Sequence, residues 1–142
     1  MEEQDLLLIP TYKLNKEWPI FLATFLAGPL PGAFLIAENF RNLGQPGKAK
    51  WTWAIAVMVL VFLFLTNVIP GLKKVPPVAF NFLCILLAQV LVRKYQAEAI
   101  RLHILDGGLV YPAGRALVVA LIGLVLTVGV IVGLYYWVSV TA

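Results

Sequence analysis

The chain has 142 residues, 61% of them hydrophobic and only 13% charged, whereas soluble domains are about half apolar and a quarter charged. So few charges cannot cover so much apolar surface in water, which excludes a soluble globular domain and makes lipid the expected solvent. The net charge of +4 lies in loops beside apolar runs, where it reads as orientation and anionic-lipid contact and excludes a nucleic-acid footprint.

The tail begins MEEQD, which is acidic. LLLIP (Leu6–Pro10) is too short for a signal-peptide core and lacks a basic lead, so the N-terminus is expected to be retained. With Tyr12 and Leu14 it reads as a short piece lying on the headgroups.

The first apolar segment runs from Trp18 to Phe40 and has the length of a span, roughly 20 residues for ~30 Å of hydrocarbon. GPLPG, Gly28 to Gly32, interrupts it. The second span is predicted over Trp51–Ile69. The third begins at Pro77 and runs through Val92. Lys94, Glu98 and Arg101 then recur on one side and Ala97, Ile100 and Ile104 on another, so the third helix is expected to extend into the cytoplasm as far as Leu105. Gly107 and Gly108 end it. The fourth span covers Ala116–Val140. No internal repeat divides the chain, which reads as a single domain over 1–142.

The fold class is therefore an all-α integral membrane protein with four transmembrane helices, the first broken by Pro and Gly. The alternative is three spans plus a re-entrant hairpin at 18–40. With four spans, basic residues divide seven (Arg41, Lys48, Lys50, Arg93, Lys94, Arg101, Arg115) against four (Lys13, Lys16, Lys73, Lys74). With the hairpin, Lys13 and Lys16 change sides and the division is nine against two. Either way the positive-inside rule places loops 41–50 and 93–115 in the cytoplasm and the C-terminus outside. Only the N-terminus differs. A reversal at membrane depth counts against the hairpin, because its backbone groups need protein or water to pair with.

Candidate residues fall into two sets. Gly28, Pro29, Pro31 and Gly32 form either a packing kink or an unwound patch whose carbonyls bind an ion or polar solute. Glu38 joins that set as a cation contact, or else pairs with Arg41 and Arg93. On span four, Gly123 and Thr127 lie on one small face with Ala116 and Ala120. Gly129 and Gly133 form a second face, suited to oligomerisation. Asn67 and Asn81 flank the 70–77 turn and are expected to bond across it.

His103 reads as a surface histidine, and with Asp106 it lacks a third catalytic group. Cys84 is the single cysteine, so neither an intrachain disulfide nor a thiolate metal site is suggested. No catalytic, metal-binding or cofactor motif is recognised.

The stretches GPLPGAFLIAENFRNLGQPGKAK and HILDGGLVYPAGRALVVALIGLVLT resemble segments of uncharacterised small multi-pass bacterial inner-membrane proteins. That resemblance implies a bacterial inner (cytoplasmic) membrane and no particular activity. A small residue is more usual there than Pro31. The expected function is a non-enzymatic membrane protein, partnered by the bilayer and by its own copies or another membrane protein. The alternatives are a small oligomeric transporter or channel with GPLPG lining a polar path, and a lipid-acting enzyme if His103 or Asp106 faces a cleft.

Overall fold

The structure, a computed structural model, describes residues 9–142; most of LLLIP lies outside the described residues. Its helices are α1 (Glu17–Ala27), α2 (Pro29–Asn42), α3 (Pro46–Val68), α4 (Pro77–Tyr95), α5 (Ala97–Leu105) and α6 (Ala113–Thr141). A 3-10 turn at Pro70–Leu72 joins α3 to α4. Two short strands, β1 (Lys13–Leu14) and β2 (Leu109–Val110), pair in parallel, with Lys13 opposite Leu109 and Leu14 opposite Val110. Three helices, α3, α4 and α6, are long and apolar enough to cross a membrane. At 11 and 14 residues, α1 and α2 are not.

The first apolar segment divides at Gly28, whose φ of 80° and ψ of −156° fall in a region essentially reserved for glycine. Gly28 N–H closes α1 by donating to Thr24 O at 2.9 Å. Pro29 and Pro31 then take the first and third positions of α2. A helix start normally leaves four N–H groups unpaired; two of those four positions here carry no N–H at all.

Beyond Gly28 the chain reverses. Gly32 lies against Thr24 so closely that a Cβ at 32 would overlap the Thr24 hydroxyl. At the far end, Asn15, just before α1, bonds Glu38 and Asn39 in the last turns of α2. The two short helices therefore pack side by side and antiparallel. Residues 13–16 lie at the same end of the bundle as Asn42, Leu109 and Arg115.

This hairpin carries the core. Ile20, Ala23, Leu35, Ile36, Ala37 and Phe40 are almost wholly buried, and Leu14, Val92, Ile100, Ala116 and Ala120 join them. The buried residues of the longer helices are mostly small: Ala49, Thr52 and Ala56 from α3, Cys84 and Ala88 beside Phe80 and Val92 from α4, and Ala116, Ala120, Gly123 and Thr127 from α6. Small residues let helices approach closely where lipid supplies no hydrophobic drive between them. The outer faces, with Met58, Phe82, Leu86, Val125 and Val132, are exposed as lipid requires.

Two expectations change. The helix predicted from Pro77 to Leu105 breaks at Gln96, where φ is −126° and ψ −27°. The cause is the side chain: Gln96 is fully buried, and its amide donates to Ile36 O at 2.8 Å in the hairpin. Asn67 and Asn81 do not bond across the turn. Asn67 donates to Leu63 O one turn back in α3. Asn81 instead donates to Phe25 O at 3.1 Å, one of the carbonyls freed where α1 ends.

Replacing Gly32 with Val should lower stability by about 1–3 kcal/mol through overpacking on Thr24. Gly28→Ala should cost a similar ~1–3 kcal/mol through backbone strain. Thermal unfolding in detergent measures both.

Candidate functional site

Two places in the bundle hold polar groups among apolar side chains: the reversal at Gly28–Gly32 and the opposite end of the hairpin. At the reversal, Gly28 and Pro29 are half-buried, while Pro31 and Gly32 are buried. Pro31 packs on α6 at Gly123, where a Cβ would meet the proline ring at 2.8 Å. Pro29 and Gly32 line a small cavity between α2, α3 and α4, of about 30 Å³. That is room for roughly one water. Its only hydroxyls, Thr24 and Thr52, already donate to the carbonyls of Ile20 and Lys48, at 2.8 and 2.9 Å. The remaining walls are apolar side chains and Cys84.

Glu38 does not share this place. It stands near the other end of α2, about 13 Å along the axis from Pro29 at 1.5 Å per residue. The proposed solute-binding set is thus split in two by the fold. The partner of Glu38 is Arg115 at the start of α6, rather than Arg41 or Arg93. The contact is bidentate, with Nη1 donating to Oε2 at 2.7 Å and Nη2 to Oε1 at 2.8 Å. The guanidinium also lies 4.0 Å from the Tyr111 ring centroid, a cation–π contact.

Around this pair the buried amides close a network. Asn15 Nδ2 donates to Glu38 Oε2 at 2.9 Å, and Asn15 N–H to Asn39 Oδ1 at 2.7 Å. Asn39 Nδ2 returns a bond to Asn15 O at 2.9 Å and a second to Gln96 Oε1 at 3.3 Å. Five side chains from the tail, α2, α6 and the α4–α5 break are held together. Burial alone would raise the Glu38 carboxyl, but the hydrogen bonds from Arg115 and Asn15 and the charges of Arg115 and Arg41 outweigh it. The carboxyl is held below its ordinary value.

The sequence signalled Glu38 but not Asn15, Asn39 or Gln96, because each stands in a run with no polar periodicity to mark it. ENF within α2 was the nearest signal, as the first two polar side chains after the apolar run Ala33–Ala37.

His103 is also not a surface residue; it is 3% exposed. Tyr12 stacks on its ring at 4.8 Å and Gly108 lies against it. The β1–β2 pairing brings the tail over the ring, which is why the helix pattern alone left it outside. Nε2 lies 2.8 Å from Leu109 O, and a carbonyl only accepts, so Nε2 carries the proton there. Asp106 is exposed. Glu98 pairs with Arg101 at 2.8 Å on the solvent side, a contact of little energetic weight.

On α6, the buried residues are Ala116, Ala120, Gly123 and Thr127, with Thr127 Oγ1 donating to Gly123 O at 2.8 Å. Gly129 and Gly133 are exposed, with nothing within 4 Å of a Cβ built on either. Among the described residues, no three His, Cys, Asp or Glu side chains gather as a metal site. No protein-family model, curated protein or solved structure matches the chain.

Because the Glu38 carboxyl is lowered in the folded protein, its contribution is present above the ordinary carboxylate pKa and fades as pH falls through the folded value. Unfolding of wild type between pH 7 and pH 3 should show this loss, and Glu38→Gln should flatten it. At pH 7, Arg115→Gln should destabilise by about 1.5–3 kcal/mol, and a Glu38→Gln/Arg115→Gln pair by less than the sum of the single changes.

Proposed function

We propose that the chain is a non-enzymatic membrane protein that assembles laterally with its own copies or as a subunit of a larger membrane complex. It would lie in a bacterial inner membrane, as the sequence resemblance implies, with three spans and a re-entrant hairpin formed by α1 and α2. Both ends of the hairpin then face the cytoplasm together with loops 41–50 and 93–115, and the C-terminus lies outside. The nine-to-two division of basic residues supports this orientation, as does the bonding of residues 13–15 to Asn42, Asn39 and Glu38 at one end of the bundle.

The observation that carries the assembly reading is on α6. One narrow face is spent on the hairpin through Gly123 and Thr127. Gly129 and Gly133 stand roughly 130° further round at 100° per residue, with open space before both. Glycine lowers helix propensity by about 1 kcal/mol, and two of them on a lipid-facing surface offer a backbone-to-backbone approach for another helix. The polar groups at the other end of the hairpin are meanwhile engaged with one another, Glu38 with Arg115 and Asn15 with Asn39.

The rival reading, a transporter or channel with the Gly28–Gly32 break lining a polar path, meets two spaces there: a cavity of one-water size with both its hydroxyls already bonded, and one of about 280 Å³ between Pro31 and α6 whose walls are Leu30, Phe34, Trp53, Val119, Ile122 and Leu126, which is no polar path.

Sedimentation of the purified full chain in detergent tests the assembly. Wild type is expected above monomer mass, and Gly129→Leu/Gly133→Leu at monomer mass with unchanged helicity. A wild type that is monomeric at all concentrations, and captures no membrane protein after cross-linking in cells, overturns it. A compartment reporter at the N-terminus is expected to read cytoplasmic; an external reading overturns the hairpin.

A further inference from the structure

Between α3 and α4 the bundle has a groove floored by the hairpin. Its upper part, of about 260 Å³, is lined by Phe40, Lys48, Trp51, Thr52, Ile55, Leu91 and Tyr95. Thr52, Ile55 and Leu91 also line the small cavity that reaches Pro29, Gly32 and Val59. The two spaces thus share walls and follow the α3–α4 seam. From Lys48 to Val59 is about 16 Å along α3 at 1.5 Å per residue, close to half of the ~30 Å hydrocarbon thickness. One leaflet's depth separates the charged mouth from the reversal.

The mouth is positive. The Lys48 ammonium lies 5.3 Å from the Tyr95 ring centroid and 5.9 Å from that of Phe40, and Lys94 lies 5.4 Å from Tyr95. Lys48 is on the groove wall, while Lys94 reaches the same Tyr95 ring from a neighbouring hollow of α4 that it lines with Leu86, Gln89, Val90 and Arg93. Among the described residues, neither lysine is in an ion pair; the salt bridges formed are Glu98–Arg101 and Glu38–Arg115. Trp51, exposed beside them, suits the headgroup level. Below the mouth the walls are Ile55, Leu91, Ala56 and Leu87.

We propose that this groove binds one anionic phospholipid of the cytoplasmic leaflet. Its phosphate meets Lys48 at the mouth with the Lys94 charge close by, and the upper part of one acyl chain lies in the 260 Å³ hollow against Phe40, Ile55 and Leu91, above the one-water cavity. The charge selects an anionic headgroup, since a zwitterionic one brings its own cation to two ammoniums. The apolar walls select a chain, which neither inorganic phosphate nor a soluble anion carries. The orientation rests on the proposed sidedness. The groove itself does not, because mouth and walls are fixed to each other on α3 and α4.

The test is native mass spectrometry of the full chain released from nanodiscs of equimolar phosphatidylcholine and phosphatidylglycerol. Wild type is expected to retain one phosphatidylglycerol preferentially. Lys48→Gln/Lys94→Gln should cut that retention roughly tenfold or more, while Lys73→Gln/Lys74→Gln, at the turn joining α3 and α4 at the other end, leaves it unchanged. Ile55→Trp should reduce it by filling the groove, with the thermal midpoint of each variant confirming the fold.

Equal retention of the two lipids overturns the proposal, as does equal loss in both lysine pairs, which marks surface lipid without a site. Displacement by millimolar inorganic phosphate as effective as by phosphatidylglycerol overturns it too, by removing the role of the chain. Failure of lateral assembly in the glycine variants leaves this measurement unaffected, so the two readings fail separately.

Discussion

A polypeptide that turns round among apolar side chains must dispose of every N–H and C=O the turn sets free, and this constraint organises the bundle. Here the donors are removed covalently: prolines at the first and third positions of α2 leave fewer N–H groups to satisfy. Gly28 supplies the one backbone conformation that allows the reversal and still bonds Thr24 O. On the acceptor side, Asn81 reaches from α4 to the Phe25 carbonyl. A kink would need none of these devices together. The motif reads as a turn because chemistry has been fitted to both sides of it.

The hairpin so formed is shorter than a span, yet it supplies half of the buried core. The three long helices stand around it and bury mainly alanine, glycine, threonine and cysteine, with Phe80 and Val92 the large exceptions on α4, and turn most of their large side chains outward. The interior therefore needs close approach more than bulk. Its far end is closed by polar pairing of Asn15, Asn39, Gln96, Glu38 and Arg115, each bonded to another. A network with every member engaged specifies one arrangement, whereas loss of a single partner would leave a charge or amide unpaired in a poor solvent.

The helical class, the three long apolar helices and the small face of α6 were legible in the sequence, because length, hydropathy and spacing are local properties. The Gly28 break was visible too, but its direction was not. Proline and glycine say that a helix is interrupted, and the nine-to-two division of basic residues leans toward a reversal; Thr24 against Gly32 and Asn15 against Glu38 are the contacts by which it comes back. The far partners escaped for the same reason. Glu38 and Arg115 are 77 positions apart, and Gln96 is 60 from the carbonyl it bonds, so no periodicity connects them. His103 looked exposed because its cover, Tyr12, comes from a tail that the helical pattern of 93–105 does not contain.

The same separations set an order of events during synthesis. The hairpin leaves the ribosome first, but the guanidinium that neutralises Glu38 follows 77 residues later, roughly 4–15 s at ordinary elongation rates. Asn81 and Gln96 arrive within that interval. Until they do, Glu38 and the Phe25 carbonyl lack the partners they have in the finished bundle, and the segment most deeply enclosed at the end begins as the one least able to enter lipid alone. The hairpin is thus made ahead of the partners that satisfy it, and its polar contacts close only when the start of α6 arrives.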